Sequence, residues 1–241
     1  MDKALTLSRR QALTFAAATC VAPRLASAAP SHPTLIELFT SQGCSSCPPA
    51  DKIAAELATD PNIFVASFNV DYWDYLGWRD TLAKPEYSQR QYDYAKSRGD
   101  GSVYTPQMVI NGTTHAVGSN LRDVKSRLSE AAAPSVTMAL RVTDKDIKIE
   151  IPKTSYDGEA TLWLMAIEPE VKQKIERGEN AGKDVIYVNV VRNLVPATMW
   201  KGEAYQGSWM RSAVMPHTCK CIIAVLQKDK VGPILGLARF G

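Results

Sequence analysis

Histidine and cysteine are scarce in this chain of 241 residues, which has three of the former and five of the latter. Apolar runs are short as well. None reaches the roughly 18 residues of a membrane-spanning helix, which excludes a helical membrane span. Repeats and low-complexity tracts are absent. An excess of either charge is also missing, with 28 basic residues against 25 acidic ones. The first 28 residues carry four of the basic residues (Lys3, Arg9, Arg10, Arg24) and one acidic residue, Asp2, so 24 of each sign remain beyond them. A neutral chain gives no electrostatic case for nucleic acid or an anionic membrane as partner. What is present is ordinary for a globular protein: 45% apolar and 22% charged residues, over a length that allows one or two domains with a real core.

The N-terminus reads as a targeting segment. Lys3, Arg9 and Arg10 precede an apolar stretch from Ala12 to Ala22, and Ala26-Ser27-Ala28 offers an A-x-A cleavage site. Ser8-Arg9-Arg10-Gln11-Ala12-Leu13 resembles a twin-arginine export signal, with an ordinary Sec signal as the alternative. Ala17-Ala18-Thr19, before Cys20, lacks the large aliphatic residue of a lipobox. The expectation is a signal peptide over 1–28, cleavage near Ala28, and a periplasmic or secreted protein. Two cysteine pairs then remain, Cys44/Cys47 and Cys219/Cys221, in a compartment where disulfides persist.

Hydrophobic patterning predicts a buried strand at 34–40, a helix from Pro48 to about Thr59, and a parallel strand at 63–70. An aromatic segment follows, with Tyr72, Trp73, Tyr75 and Trp78. A helix is expected from Pro85 to Arg98 and a strand over 103–110. Asn111-Gly112 is a hairpin turn signal, the returning strand runs to Val117, and an amphipathic helix carries Leu121, Val124 and Leu128. Asn111-Gly112-Thr113 matches a glycosylation sequon but is read as the turn. After Pro134 the pattern becomes strand-rich, at 136–140, 147–151, 160–167, 185–191 and 221–226, with one short turn at 171–176. The expected organisation is an α/β unit over 29–134 followed by a small all-β, sandwich-like unit over 135–241.

Cys44-Ser45-Ser46-Cys47 lies between a strand and a helix. A cysteine at a helix N-terminus meets unpaired N–H groups and the positive end of the helix dipole, which favour the thiolate. The thiolate is the attacking species in disulfide exchange, and a second cysteine one turn on can resolve the mixed disulfide. Cys44 is therefore the candidate nucleophile and Cys47 the resolving thiol. A structural disulfide or half of a zinc site are the alternatives, but zinc would want a second ligand pair of comparable spacing. In thioredoxin-like proteins a cis-proline stands opposite such a pair, and Thr105-Pro106, at the head of a strand, is the candidate here.

Three blocks carry a resemblance to a known family. Glu37-Leu38-Phe39-Thr40-Ser41-Gln42-Gly43-Cys44-Ser45-Ser46-Cys47-Pro48-Pro49-Ala50-Asp51 is similar to the signature of the DUF1223 family of secreted, thioredoxin-like proteins of uncharacterised function. Val70 to Trp78 and Tyr104 to Met108 resemble the same family. The resemblance spans about residues 34–240. It implies a thioredoxin-like domain with an appended β domain, and it supplies no substrate.

Other residues are weaker candidates. Glu37, seven before Cys44, is either a proton acceptor beneath the disulfide or a solvent-facing carboxylate. Asp71, Trp73 and Trp78, beyond the second strand, are expected to wall the site and, with Thr105, contact a client. Met215, His217, Cys219 and Cys221 would share one face of a strand as a soft-metal set suited to copper(I). Two buried thiols or a second disulfide are the alternatives. The expected function is an exported thiol–disulfide oxidoreductase acting on protein or small thiol clients, with no cofactor beyond its own disulfide. The rival is a periplasmic binding protein for copper or a thiol ligand.

Overall fold

The computed structural model describes residues 32–241. The expected leader, Cys20 and the cleavage site at Ala28 lie outside the described residues.

β1 (Thr34–Thr40) is buried along its whole length, so both of its faces need cover. Side chains alternate across a strand, and the two sets enter different clusters. Ile36 and Leu38 pack with Ala50, Ala54, Val124 and Leu128, from α1 (Pro48–Leu57) and α3 (Leu121–Glu130). Leu35 and Phe39 pack with Phe68, Tyr87 and Tyr94 on the other side, where α2 (Pro85–Arg98) lies. Each large side chain so buried contributes about 1.5–3 kcal/mol.

β2 (Ile63–Asn69) runs parallel to β1, and β3 (Gln107–Ile110) runs antiparallel on its far side. β4 (Thr114–Val117) returns from β3 through the Asn111-Gly112 turn, where both residues have positive φ, 44° and 70°, as a type I′ turn closed by the Thr113 N–H on the Ile110 carbonyl requires. A Cβ at Gly112 would collide with the Gly232 carbonyl, so the position needs glycine twice over.

The second half supplies β5 (Ala139–Val142), β6 (Asp146–Ile151), β7 (Ala160–Lys174), β8 (Asp184–Trp200), β9 (Tyr205–Met210), α4 (Arg211–Val214), β10 (Cys221–Lys228) and β11 (Ile234–Phe240). The strands form one eight-stranded sheet in the order β11-β10-β7-β8-β2-β1-β3-β4, and a three-stranded sheet, β5-β6-β9. The small sheet lays Ile147, Ile149 and Ile151 against Leu162, Leu164, Ile222 and Ala224 of β7 and β10. The architecture is mixed α/β, with a large mixed sheet and a small one.

Two features depart from the expected organisation. The large sheet crosses the boundary anticipated near residue 134, because β8 pairs with β2 at Val190 and Ser67, and Ser67 Oγ donates to the Val188 carbonyl at 2.7 Å. Strand β7 also continues through the expected turn at 171–176. Its Glu168–Lys174 portion pairs with 184–190 of β8 and forms an arm of mixed burial. Polar alternation on a two-stranded arm lacks the apolar run by which a core strand is recognised. β9, YQGSWM, has the same polar alternation, while β11, ILGLARF, is an apolar edge strand interrupted by Gly236.

Candidate functional site

At the carboxyl end of β1 the chain turns through Ser41, Gln42 and Gly43, all buried. A methyl on Gly43 would come within 3.0 Å of Trp73 Cβ, so this loop and the aromatic segment are in close contact. Cys44 and Cys47 are joined in a disulfide. Cys47 is the N-cap of α1, and Pro48 opens the helix, where its missing N–H costs nothing. Cys44 lies one turn earlier, its carbonyl accepting from the Cys47 N–H at 3.2 Å. The Ser46 hydroxyl is 3.4 Å from Cys44 Sγ. Ser45 and Ser46 are exposed, yet the two cysteines are 1% and 0% exposed. In the disulfide state, then, neither sulfur is the open one.

Beneath the pair lies a buried carboxylate that the sequence did not single out. Asp51 is one helical turn after Cys47 and on the same helix face. It is 4% exposed. Thr40, the last residue of β1, donates to its Oδ1 at 2.9 Å, while Oδ2 has no partner. Burial pushes its pKa up to about 7, against the pull of the Thr40 bond and with a contribution from Asp80. A second buried acid, Asp80, accepts from the Gln42 N–H at 2.8 Å and from Asn69 Nδ2 at 2.9 Å, fixing the loop that leads to Cys44. Its pKa is raised too, chiefly by burial. Asp51 also lines an open groove of about 700 Å³ between α1 and β8, with Pro48, Lys52, Lys183, Ile186 and Val188. The one sequence signal was an acid in the first turn of a helix opened by Pro-Pro.

The titration of Asp51 predicts a pH signature. Between the ordinary carboxylate value near 3.8 and about 7, the folded state holds a proton that the unfolded state has released, so stability falls as pH rises through that window. Asp51→Asn removes this slope. The variant is expected to match the wild type near pH 4 and to exceed it by a few kcal/mol above pH 7. Urea unfolding at both pH values checks this, and an equal difference at both would disprove it.

The Thr105–Pro106 peptide is cis. Thr105 is tied to the aromatic segment through Trp73 Nε1, which donates to its Oγ1 at 2.7 Å, so Trp73 touches both the Cys44 loop and Thr105. Tyr75 stacks on Trp73 with centroids 6.4 Å apart. Tyr75 is 77% exposed, and Tyr92, 48% exposed, joins Trp73 through Tyr72, which leaves an aromatic ledge running from the Gly43 turn. Trp78 Nε1 donates to Gln42 Oε1 at 2.7 Å. Asp71 faces away, toward α2, and accepts from Ser88 Oγ at 2.5 Å.

Glu37 is not beneath the disulfide. It points to the α2 face of β1, opposite α1, where Arg90 Nε donates to it at 2.7 Å and Tyr94 OH donates to its other oxygen. Gln227 of β10 closes the network on Arg90 and Tyr94. One residue of register decides this, since Glu37 and Leu38 face opposite ways. The second cysteine pair is likewise not as expected. Arg211–Val214 is helical and β10 begins only at Cys221, so residues 215–221 do not alternate as a strand. His217 is exposed, while Met215 and Cys219 enter one core cluster and Cys221 packs on another. Both cysteines are free thiols, and burial pushes Cys221 up to about 11. Among the described residues no three His, Cys, Asp or Glu side chains come together as a metal group. No helix among them is long and apolar enough to cross a membrane.

A further neighbour comes from the second half. The β7–β8 arm carries its loop, 175–183, onto the Gln42–Ser45 turn that bears Cys44. Asn180 Nδ2 donates to the carbonyls of Gln42 and Cys44 at 3.0 and 2.8 Å. Ile175 anchors the loop in a cluster with Leu82, Val185 and Tyr187. No local sequence signal marks Asn180, because its partners lie 136 and 138 residues away.

Fold and site together define a mixed α/β protein with a buried Cys-x-x-Cys disulfide at the start of a helix. The chain belongs to the DUF1223 family, described as a protein of unknown function, whose profile matches residues 35–227. An X-ray crystal structure of an Agrobacterium tumefaciens protein is similar, with 29% identity and a TM-score of 0.74 over 86% of this chain and 93% of that one. HBP35 of Porphyromonas gingivalis shares the fold at 10% identity, with a TM-score of 0.64 over 87% of this chain and 74% of that one. No curated protein matches.

Proposed function

We propose that this protein is a thiol–disulfide oxidoreductase with a thioredoxin-like core, working on clients outside the cytoplasm. The observation that carries the reading is the Cys44–Cys47 disulfide at the head of α1, with a buried acid one turn below it. The strand order β2-β1-β3-β4, with α1 and α3 on one face and α2 on the other, supports the thioredoxin-like assignment.

In the reduced protein the Cys44 thiolate attacks one sulfur of a client disulfide. A Cys44–client bond forms, and the other client sulfur leaves as a thiolate that takes a proton. Cys47 then passes its proton to Asp51 and attacks Cys44 Sγ. The internal disulfide forms, and the second client sulfur leaves. Two electrons have moved to the client, and the same steps reversed oxidise a client dithiol. Near neutral pH an acid with the pKa of Asp51 can both take and return that proton. The Ser46 hydroxyl and the helix N-terminus favour the Cys44 thiolate. The ledge of Trp73 and Tyr75, extended through Tyr72 to Tyr92, offers apolar surface suited to a polypeptide client.

The test is equilibrium and turnover together. The protein should equilibrate with thiol–disulfide buffers at a single two-electron potential and should catalyse reduction of insulin by dithiothreitol. A pair that equilibrates yet never turns over a protein disulfide would leave only a structural disulfide.

A further inference from the structure

We infer that the 175–183 loop is a latch over the disulfide, and that Asn180 stands in for the backbone N–H groups of an extended polypeptide, selecting clients able to displace it. The inference rests on the disulfide-exchange reading for its client half, but not for the latch itself.

Exchange needs a thiolate to approach a sulfur from outside, and with the loop in place Cys44 is 1% exposed. The cover is held by specific bonds. Asn180 is itself buried, and its Nδ2 meets two main-chain carbonyls while its Oδ1 accepts from Lys183 Nζ at 2.8 Å. Only this amide orientation satisfies all three partners, since carbonyls accept and an ammonium donates. Glu179 accepts from the Ser45 N–H at 3.4 Å. A Cβ on Gly178 would lie 3.3 Å from Trp78 Cβ, so the loop also presses on the aromatic segment.

The carbonyls that Asn180 occupies belong to the chain on either side of Gly43. A main-chain N–H of an extended client lying along the Trp73 and Tyr75 ledge would use the same acceptors, as added strands do elsewhere. Such a client exchanges one set of hydrogen bonds for another and lifts the latch as it docks. A small disulfide without peptide groups has no such means and must wait for spontaneous opening. Asn180 is thus a specificity-determining residue, not a catalytic one.

Asn180→Asp keeps the size but removes both donors, and Asn180→Ala is the second variant should the first unfold. In the reduced protein, the pH-independent rate of Cys44 alkylation by iodoacetamide is expected to rise roughly tenfold in either variant, the effect of about one net hydrogen bond. Exchange with 2-hydroxyethyl disulfide should rise by a similar factor, while exchange with a linear peptide disulfide changes little, so the preference for the peptide falls about tenfold. Unchanged alkylation in a folded variant would overturn the latch. Faster alkylation with an unchanged preference would overturn the mimicry of a client. Wild-type protein that exchanges with neither disulfide would defeat the oxidoreductase reading, and alkylation would still decide the latch.

Discussion

Replacing Cys44 by serine is expected to bring disulfide exchange down to the uncatalysed rate, whereas Cys47→Ser should stall the protein as a mixed disulfide on Cys44. The two sulfurs have equal cover in the disulfide state, so exposure does not distinguish them. Their surroundings do. Cys47 caps α1 directly, with Asp51 one turn below it, and that is the place of a thiol which gives up its proton late. Cys44 sits on the outer turn, with the Ser46 hydroxyl 3.4 Å from its sulfur and two exposed serines, Ser45 and Ser46, directly after it. Mass spectrometry of Cys47→Ser incubated with a peptide disulfide checks the order. A client adduct on Cys47 in Cys44→Ser, formed as fast as that on Cys44 in Cys47→Ser, would exchange the two roles.

The largest loss of stability is expected from Glu37→Gln. Glu37 and Arg90 are both almost wholly buried and lie 2.7 Å apart. Arg90 also donates to Tyr94 OH at 3.1 Å and to Gln227 Oε1 at 3.0 Å. Burial alone would lower the pKa of Arg90, but Glu37 and Tyr94 outweigh it and hold the guanidinium charged. Removing the carboxylate charge leaves that cation uncompensated in the core, a loss of about 3–5 kcal/mol. The network joins β1, α2 and β10, so unfolding should remain a single transition at a lower urea midpoint. Glu37→Gln combined with Arg90→Met should recover much of the loss, because an apolar replacement of a whole buried pair is often close to neutral. This experiment also bears on the site. A proton acceptor for the cysteines would change the pH dependence of exchange when replaced. Glu37 lies on the other face of β1, so the pH profile of any folded Glu37→Gln protein should be that of the wild type.

Much of the first half was legible because its signals are local. Leu35–Phe39 is apolar but for Glu37, Pro48-Pro49 fits the first turn of a helix, Gly99 stops α2 at Arg98, and Asn111-Gly112 is a hairpin turn signal. The same local chemistry marks the Cys44–Cys47 pair, whereas Thr105-Pro106 is named only by analogy with thioredoxin-like proteins. The rest of the site depended on which face a residue meets and on what arrives from far along the chain. Glu37 and Asp51 are both acids near the cysteines, and only the register of β1 against its helices sends one to Arg90 and brings the other beneath Cys47. His217, Cys219 and Cys221 looked like a ligand set under a strand's alternation, but the chain there turns at Pro216, where Cys219 N–H bonds the Pro216 carbonyl, and the alternation never begins. The Glu168–Lys174 half of the arm has too little apolar character to be read as a strand, yet the arm carries Asn180 to the carbonyl of a cysteine 136 residues away. Backbone propensity and spacing are written in neighbouring residues. Facing, register and long-range closure are settled only when the sheet assembles, because a two-residue period turns a shift of one position into the opposite face.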